Sequence, residues 1–191
     1  TLLGFVLMAA QAFFYNAIFF TYALVLTSFY DVAAADVGYY IFPFAVGNFL
    51  GPLILGRLFD SVGRRALIAA TYAIAGLGLL LSGYAFAQGW LDARTQTLCW
   101  SAIFFFASAA ASSAYLTVSE IFPLEIRSQA IALFFAIAQV IGATGPWLFA
   151  AMIGDRTDPD PARLLLGYWL AAAMMLAAGA VQAVFGIEAA G

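Results

Sequence analysis

Apolar positions along this chain fall in long uninterrupted runs, and polar positions gather in short stretches between them. The runs cover Leu2 to Phe29, Val37 to Phe59, Ala66 to Trp90, Thr95 to Ser119, Ser128 to Ile153 and Ala162 to Ile187. Each exceeds the roughly 20 residues that a helix needs to cross a bilayer at 1.5 Å per residue. A membrane barrel would show alternation over about 10 residues instead. The stretches between the runs, such as Asp31 to Asp36, Leu91 to Arg94 and Gly154 to Arg163, are short, which makes neighbouring helices antiparallel. The pattern predicts an all-α integral membrane bundle of six helices, with residues 1–191 forming one transmembrane unit. Three helices followed by three more would set any second repeat upside down relative to the first, an arrangement known in secondary transporters. No sequence similarity between the two triplets is evident.

Composition agrees with lipid as the solvent. Apolar residues make up 65% of the chain and charged residues 9%, against roughly 45–50% and about 25% in soluble domains. All seven cations are arginine, and the absence of histidine removes the usual neutral-pH proton shuttle and the commonest metal ligand. Cys99 is the only cysteine, so neither an internal disulfide nor a cysteine metal site is expected. The net charge of −3 is scattered and leaves no basic patch for nucleic acid. No cofactor, no metal and no enzymatic nucleophile–base constellation is expected. The second and fourth loops carry Arg57, Arg64, Arg65 and Arg127, whereas the other loops carry Arg94, Arg156 and Arg163 among six aspartates. The Arg64–Arg65 pair marks its side as cytoplasmic, with both termini on that side of the cell membrane.

The densest chemistry is the turn Gly56-Arg57-Leu58-Phe59-Asp60-Ser61-Val62-Gly63-Arg64-Arg65. Gly63 gives a position without a side chain, Asp60 a carboxylate suited to a helix N-terminus, and the arginines anchor at the headgroups. A plain positive-inside loop explains the arginines but not the two glycines and the aspartate. This segment meets each fixed position of the G-x-L-x-D-x-x-G-R-R signature, and Ser119-Glu120-Ile121-Phe122-Pro123-Leu124-Glu125-Ile126-Arg127 is similar to an S/A-E-x-F-P-x-x-x-R loop. Both resemble the major facilitator superfamily, the second its sugar-porter branch. The resemblance covers the whole chain as a C-terminal six-helix half, and it implies a missing N-terminal six-helix half and a truncated start at Thr1. It also implies a cytoplasmic gate network in which Arg57, Arg64 and Arg65 pair with Glu120 and Glu125 and Arg127 closes the set, beside Asp60 and Gly63.

Amides at membrane depth are few: Gln11, Asn16, Asn48, Gln139 and Gln182. They donate and accept at once, which suits the hydroxyl groups of a polyol, and equally serves as glue between helices. In the sugar porters an asparagine at the offset of Asn48 from the G-R-R motif contacts the sugar. Gln11 and Asn16 resemble the Q-Q-x-x-G-x-N stretch of the seventh helix, and Gln139 lies within one position of an eleventh-helix asparagine. Tyr22 and Tyr115 are candidate gates. Five residues turn a helix by about 140°, so a broken or unwound first helix is expected to bring Gln11 and Asn16 to one site. Ala10, Tyr15 and Ser112-Ser113-Ala114-Tyr115 depart from the sugar-porter pattern, so another polyol, a small organic acid or an aromatic acid fits as well as a hexose. Glycine and proline in the second and fifth runs, including Gly47-x-x-x-Gly51 and Gly145-Pro146, serve close packing or gating. No ionisable residue occupies the middle of any run, so a proton carrier would lie outside this chain.

The expectation from these observations is a secondary transporter of a small polar solute working by alternating access, by symport if an ion is coupled. Its partners would be the solute, the bilayer and the missing half. The alternative is a self-contained six-helix protein acting as a homodimeric transporter or a channel.

Overall fold

The computed structural model describes residues 2–154 and 159–186, apart from the Asp60 side chain. Six helical segments in it are long and apolar enough to cross a membrane: Leu2–Phe29, Val37–Leu58, Arg64–Ala87, Ala93–Ile121, Arg127–Ile153 and Pro161–Phe185. No strand occurs among the described residues. The expected end of the sixth run at Ile187, and Arg156 with its flanking aspartates, lie outside the described residues.

The first span is two helices, α1 (Leu2–Phe19) and α2 (Tyr22–Phe29). The interruption is local chemistry. The Thr21 hydroxyl donates to the Ala17 carbonyl, and the Thr21 N–H turns to the Ile18 carbonyl three residues back, at 3.2 Å. A hydroxyl that takes the i−4 carbonyl competes with the helix ladder. The break therefore lies beyond both Gln11 and Asn16, and α1 is continuous through them. The expected unwinding between the two is not present.

The second span is α3 (Val37–Leu55), with Pro43 and Pro52 inside it, followed by one 3₁₀ turn (Gly56–Leu58) and the four-residue α4 (Phe59–Val62). Gly63 then adopts φ +100° and ψ 128°, a region that L side chains rarely enter, and this redirects the chain into α5 (Arg64–Ala87). α6 (Ala93–Ile121) opens on a capping box. The Asp92 carboxylate accepts the Thr95 N–H at 2.7 Å and the Thr95 hydroxyl accepts the Asp92 N–H at 2.8 Å; the Thr95 N–H and hydroxyl, both donating to the carboxylate, hold the exposed Asp92 carboxyl below the usual carboxylate range. α7 (Arg127–Ile153) contains Pro146, and α8 (Pro161–Phe185) begins with Asp160 accepting the Ala162 N–H at 2.9 Å and Pro161 in its first turn.

The packing of these helices is internally symmetric. The closest pairings are α5 with α8, α1 with α7 and α3 with α6, followed by α5 with α6 and α1 with α8. Exchanging the first three spans for the last three turns the α1–α7 pairing into α6–α3 and the α5–α6 pairing into α8–α1, while α5–α8 maps onto itself. Antiparallel connection inverts the second triplet, so the bundle is two inverted three-helix units despite the lack of sequence similarity between them. The second and fifth spans make equivalent contacts through glycine. A Cβ on Gly47 or Gly51 of α3 would collide with the Ser101 and Phe105 carbonyls of α6. A Cβ on Gly142 of α7 would lie 2.9 Å from the Ala12 carbonyl of α1, and one on Gly145 3.1 Å from the Ala17 nitrogen. In each case proline follows the second glycine, as Gly51-Pro52 and Gly145-Pro146.

The first and fourth spans supply most of the interior, through side chains such as Phe14, Ile18, Trp100 and Phe104. The second and fifth bury little of their own surface, leaving Phe42, Phe49, Val140 and Trp147 exposed.

Candidate functional site

Asn48 lies eleven residues after Val37 and ten before Leu58, so it is about 15 Å from either end of its span. That is the middle of a hydrocarbon layer about 30 Å thick. A cavity of about 290 Å³ opens at this depth between α1, α3, α6 and α7. Its polar lining is Gln11, Tyr15, Asn16, Asn48, Tyr115 and Gln139, and its apolar lining includes Met8, Phe19 and Phe135. Five of the six site residues expected from the sequence converge here. Tyr22 does not line the cavity; it stacks on Phe44 at 6.1 Å and 13°, next to Phe19, on the side of the cavity toward the helix break.

Helix geometry explains how Gln11 and Asn16 reach one cavity without unwinding. With about 100° per residue, Met8, Ala12, Tyr15 and Phe19 fall between the two amides around the helix axis. The cavity therefore covers a broad face of α1, and Gln11 and Asn16 stand at its two edges. Breadth replaces the expected break.

Hydrogen bonds tie the lining together across spans. The Tyr15 hydroxyl donates to the Asn48 Oδ1, joining α1 to α3. The Asn16 Nδ2 donates to the Gln139 Oε1 at 2.8 Å, joining α1 to α7. Gly142 sits one turn beyond Gln139, and any side chain there would meet the Asn16 Nδ2. Tyr15 also sets its ring edge-on to Phe104, with centroids 4.8 Å apart. The Gln11 amide has no hydrogen-bond partner among the described residues. Proline adds a further acceptor on each side. Pro52 has no N–H for the Asn48 carbonyl, nor Pro146 for the Gly142 carbonyl, so both lose their ladder donor.

Tyr15 was not a candidate from the sequence, where it registered only as a departure from a glycine. The available signal was its position four residues after Gln11, on the same helix face. Gln182, the remaining amide at membrane depth, is buried on α8 away from the cavity, and its Oε1 has no hydrogen-bond partner among the described residues.

The arginine-rich turn lies at the opposite end of the bundle from Asp92 and Asp160. Arg64, at the start of α5, forms an ion pair with Glu120 near the end of α6. Arg65 turns elsewhere: its Nε donates to the Ala183 carbonyl at 2.9 Å and its Nη2 to the Val184 carbonyl at 3.1 Å, capping the last turn of α8. Arg57 and Glu125 are exposed and form no ion pair among the described residues. The Arg127 Nε is buried without a hydrogen-bond partner among the described residues. The Asp60 side chain lies outside the described residues. The structure thus brings together one of the expected pairs, Arg64 with Glu120.

No group of histidine, cysteine and carboxylate residues among the described residues is arranged to hold a metal ion. Residues 1–191 match the family described as "Sugar (and other) transporter". Over 150 residues the chain is 29% identical to the citrate-proton symporter of Salmonella typhi, covering 73% of this chain and 31% of that protein. The chain therefore spans less than a third of the relative it matches. No solved structure matches it. Because the family match extends over every residue, the chain belongs to the sugar (and other) transporter family of the major facilitator superfamily.

Proposed function

We propose that this chain is the C-terminal six-span half of a secondary active transporter in the cytoplasmic membrane, moving a small polar solute by alternating access. The observation that carries this reading is the cavity at mid-membrane depth, where four amides and two phenols from four spans meet inside an otherwise apolar bundle. Buried polar groups without a structural necessity mark a solute route in membrane proteins. The Asn16–Gln139 and Tyr15–Asn48 bonds preset the orientation of these groups before cargo arrives. Gln11, unpartnered, has both donor and acceptor free for it.

The lining contains no charged side chain, so it favours a sugar or polyol, whose hydroxyls both donate and accept. An organic acid would need its counter-charge from groups outside this cavity, as would a coupled proton. The relative's name, a citrate-proton symporter, makes that second case concrete without deciding it. The Arg64–Glu120 pair serves as a cytoplasmic latch, and both termini lie on its side.

Uptake by the full-length protein carrying Asn48→Ala tests the site. Losing one hydrogen bond to cargo and orphaning the Tyr15 hydroxyl should lower kcat/KM about tenfold, equal to about 1.4 kcal/mol. Unchanged kcat/KM for every transported solute would remove the cavity from the transport route.

A further inference from the structure

A second concave surface runs along the outside of the bundle, between α3 and α6, and differs in character from the cavity. At the end where both helices begin it measures about 520 Å³ and is lined by Asp36, Tyr40, Arg94 and Thr97. Past Tyr39, Pro43 and Leu98, which belong to both parts, it continues into a groove of about 710 Å³ lined by Phe42, Val46, Phe105 and Phe106. The glycine contact described above forms its floor, because Gly47 lets α3 lie against the Ser101 backbone. Charged groups are confined to one end.

The dimensions match one leaflet. From Arg94 to Phe106 is twelve residues of helix, about 18 Å, against about 15 Å for half the hydrocarbon core. Exposed aromatics mark the polar end as the membrane interface, with Tyr39 78% and Trp90 70% accessible.

The charges at that end are uncommitted. Asp36 and Arg94 are both exposed, and neither forms an ion pair with another described residue. The nearby Asp92 carboxylate, held slightly lower by the Arg94 charge, accepts chiefly from the Thr95 N–H and hydroxyl. The Thr97 hydroxyl donates to the Ala93 carbonyl. One guanidinium and one carboxylate therefore face the head of the groove from α6 and α3.

We propose that this groove holds a phospholipid with a zwitterionic, amine-bearing head group. Arg94 takes the phosphate, Asp36 the ammonium, and one acyl chain follows Phe42, Val46, Phe105 and Phe106. Guanidinium suits phosphate because its planar donors match two oxygens at once. The order of the surface, opposite charges above and aromatic and aliphatic walls below, is the order of that lipid. This inference needs the bilayer but not the transport reading.

The test uses the full-length protein in nanodiscs containing phosphatidylethanolamine, phosphatidylcholine and phosphatidylglycerol in equal parts, with retained lipid read by native mass spectrometry. One phosphatidylethanolamine should be retained about fivefold over phosphatidylglycerol, the selectivity expected of one partly exposed ion pair. Asp36→Asn should reverse that preference and Arg94→Gln should abolish retention, with gel filtration confirming that both variants remain folded. A photoactivatable acyl chain should label Val46, Phe105 or Phe106 above the exposed faces of α5 and α8. Equal labelling of all exposed faces, wild-type lipid selectivity in both variants, or crosslinks from Val46 to another part of the polypeptide in place of lipid would each overturn the proposal.

Discussion

Asn16 is held from two directions, and both set where its amide can point into the cavity. Gln139 accepts from its Nδ2 at 2.8 Å, and Gly142 leaves the space that the same nitrogen occupies. A methyl group at residue 142 would press on Asn16 and on the Ala12 carbonyl at 2.9 Å, where backbone cannot give way cheaply. Gly142→Ala should therefore impair uptake about as much as Asn16→Ala, although residue 142 itself lies behind the cavity wall. A double-mutant cycle of Asn16→Ala and Gln139→Ala, read from the thermal stability of detergent-solubilised protein, should give a coupling of about 0.6–2 kcal/mol. Strict additivity would mean that the two amides act apart. Tyr15 follows the same logic. Its hydroxyl fixes the Asn48 carbonyl oxygen, so the Asn48 amide N–H groups are turned toward other acceptors, cargo among them.

At the scale of elements, two glycine–proline pairs set how closely the second and fifth spans approach their partners. Gly51 meets the Phe105 carbonyl of α6 and the Ser108 hydroxyl, whereas Gly38 on the same helix has nothing within 4 Å of where a Cβ would stand. Gly51→Ala should thus cost about 1–3 kcal/mol of stability, and Gly38→Ala almost none. Thermal unfolding of the two variants in the same detergent decides the matter, and equal midpoints would show that α3 and α6 do not pack through that glycine. These elements also show what the sequence made legible. Spans could be read because a helix in lipid must present about 20 apolar residues, and the Gly63 turn because few residues tolerate its backbone. The repeat was hidden, since inverted units share helix contacts and not side chains; only Gly47-x-x-x-Gly51-Pro52 and Gly142-x-x-Gly145-Pro146 preserve it in letters. A broken first helix was expected, but the position of the break, at Phe20–Thr21, escaped for a different reason. It depends on one hydroxyl choosing a carbonyl, and threonine elsewhere, as at Thr97 and Thr117, makes the same bond without interrupting its helix. The cavity was half legible: its amides were conspicuous against apolar runs, but Tyr15 was not, because aromatic residues are common in such helices.

For the molecule as a whole, the two adjacent arginines of the turn contact different helices, and on the proposed reading this divides the labour between moving and fixed parts. Arg65 binds the backbone at the end of α8, its partner in the inverted arrangement, so it ties α5 and α8 into one unit. Arg64 reaches the end of α6, whose opposite face lines the cavity through Tyr115. An ion pair this exposed is worth about 0–1 kcal/mol, too little to stabilise the fold and enough to shift a balance between two conformations by up to about fivefold. Neutralising it with Glu120→Gln should open the cavity toward the side on which Arg64 lies, while thermal stability stays nearly constant. Arg65→Ala should do the reverse, lowering stability by orphaning two helix-terminal carbonyls and leaving accessibility alone. A single cysteine replacing Ala138 in the cavity wall, in a Cys99→Ser background, reports the difference through its labelling rate by a membrane-impermeant thiol reagent applied from that side. Faster labelling in Glu120→Gln, matched by the protein that keeps Glu120 once high salt screens the pair, identifies Arg64–Glu120 as the latch. Labelling that is equal in both variants would assign the pair to anchoring at the headgroups and leave the closure of this face to its apolar contacts.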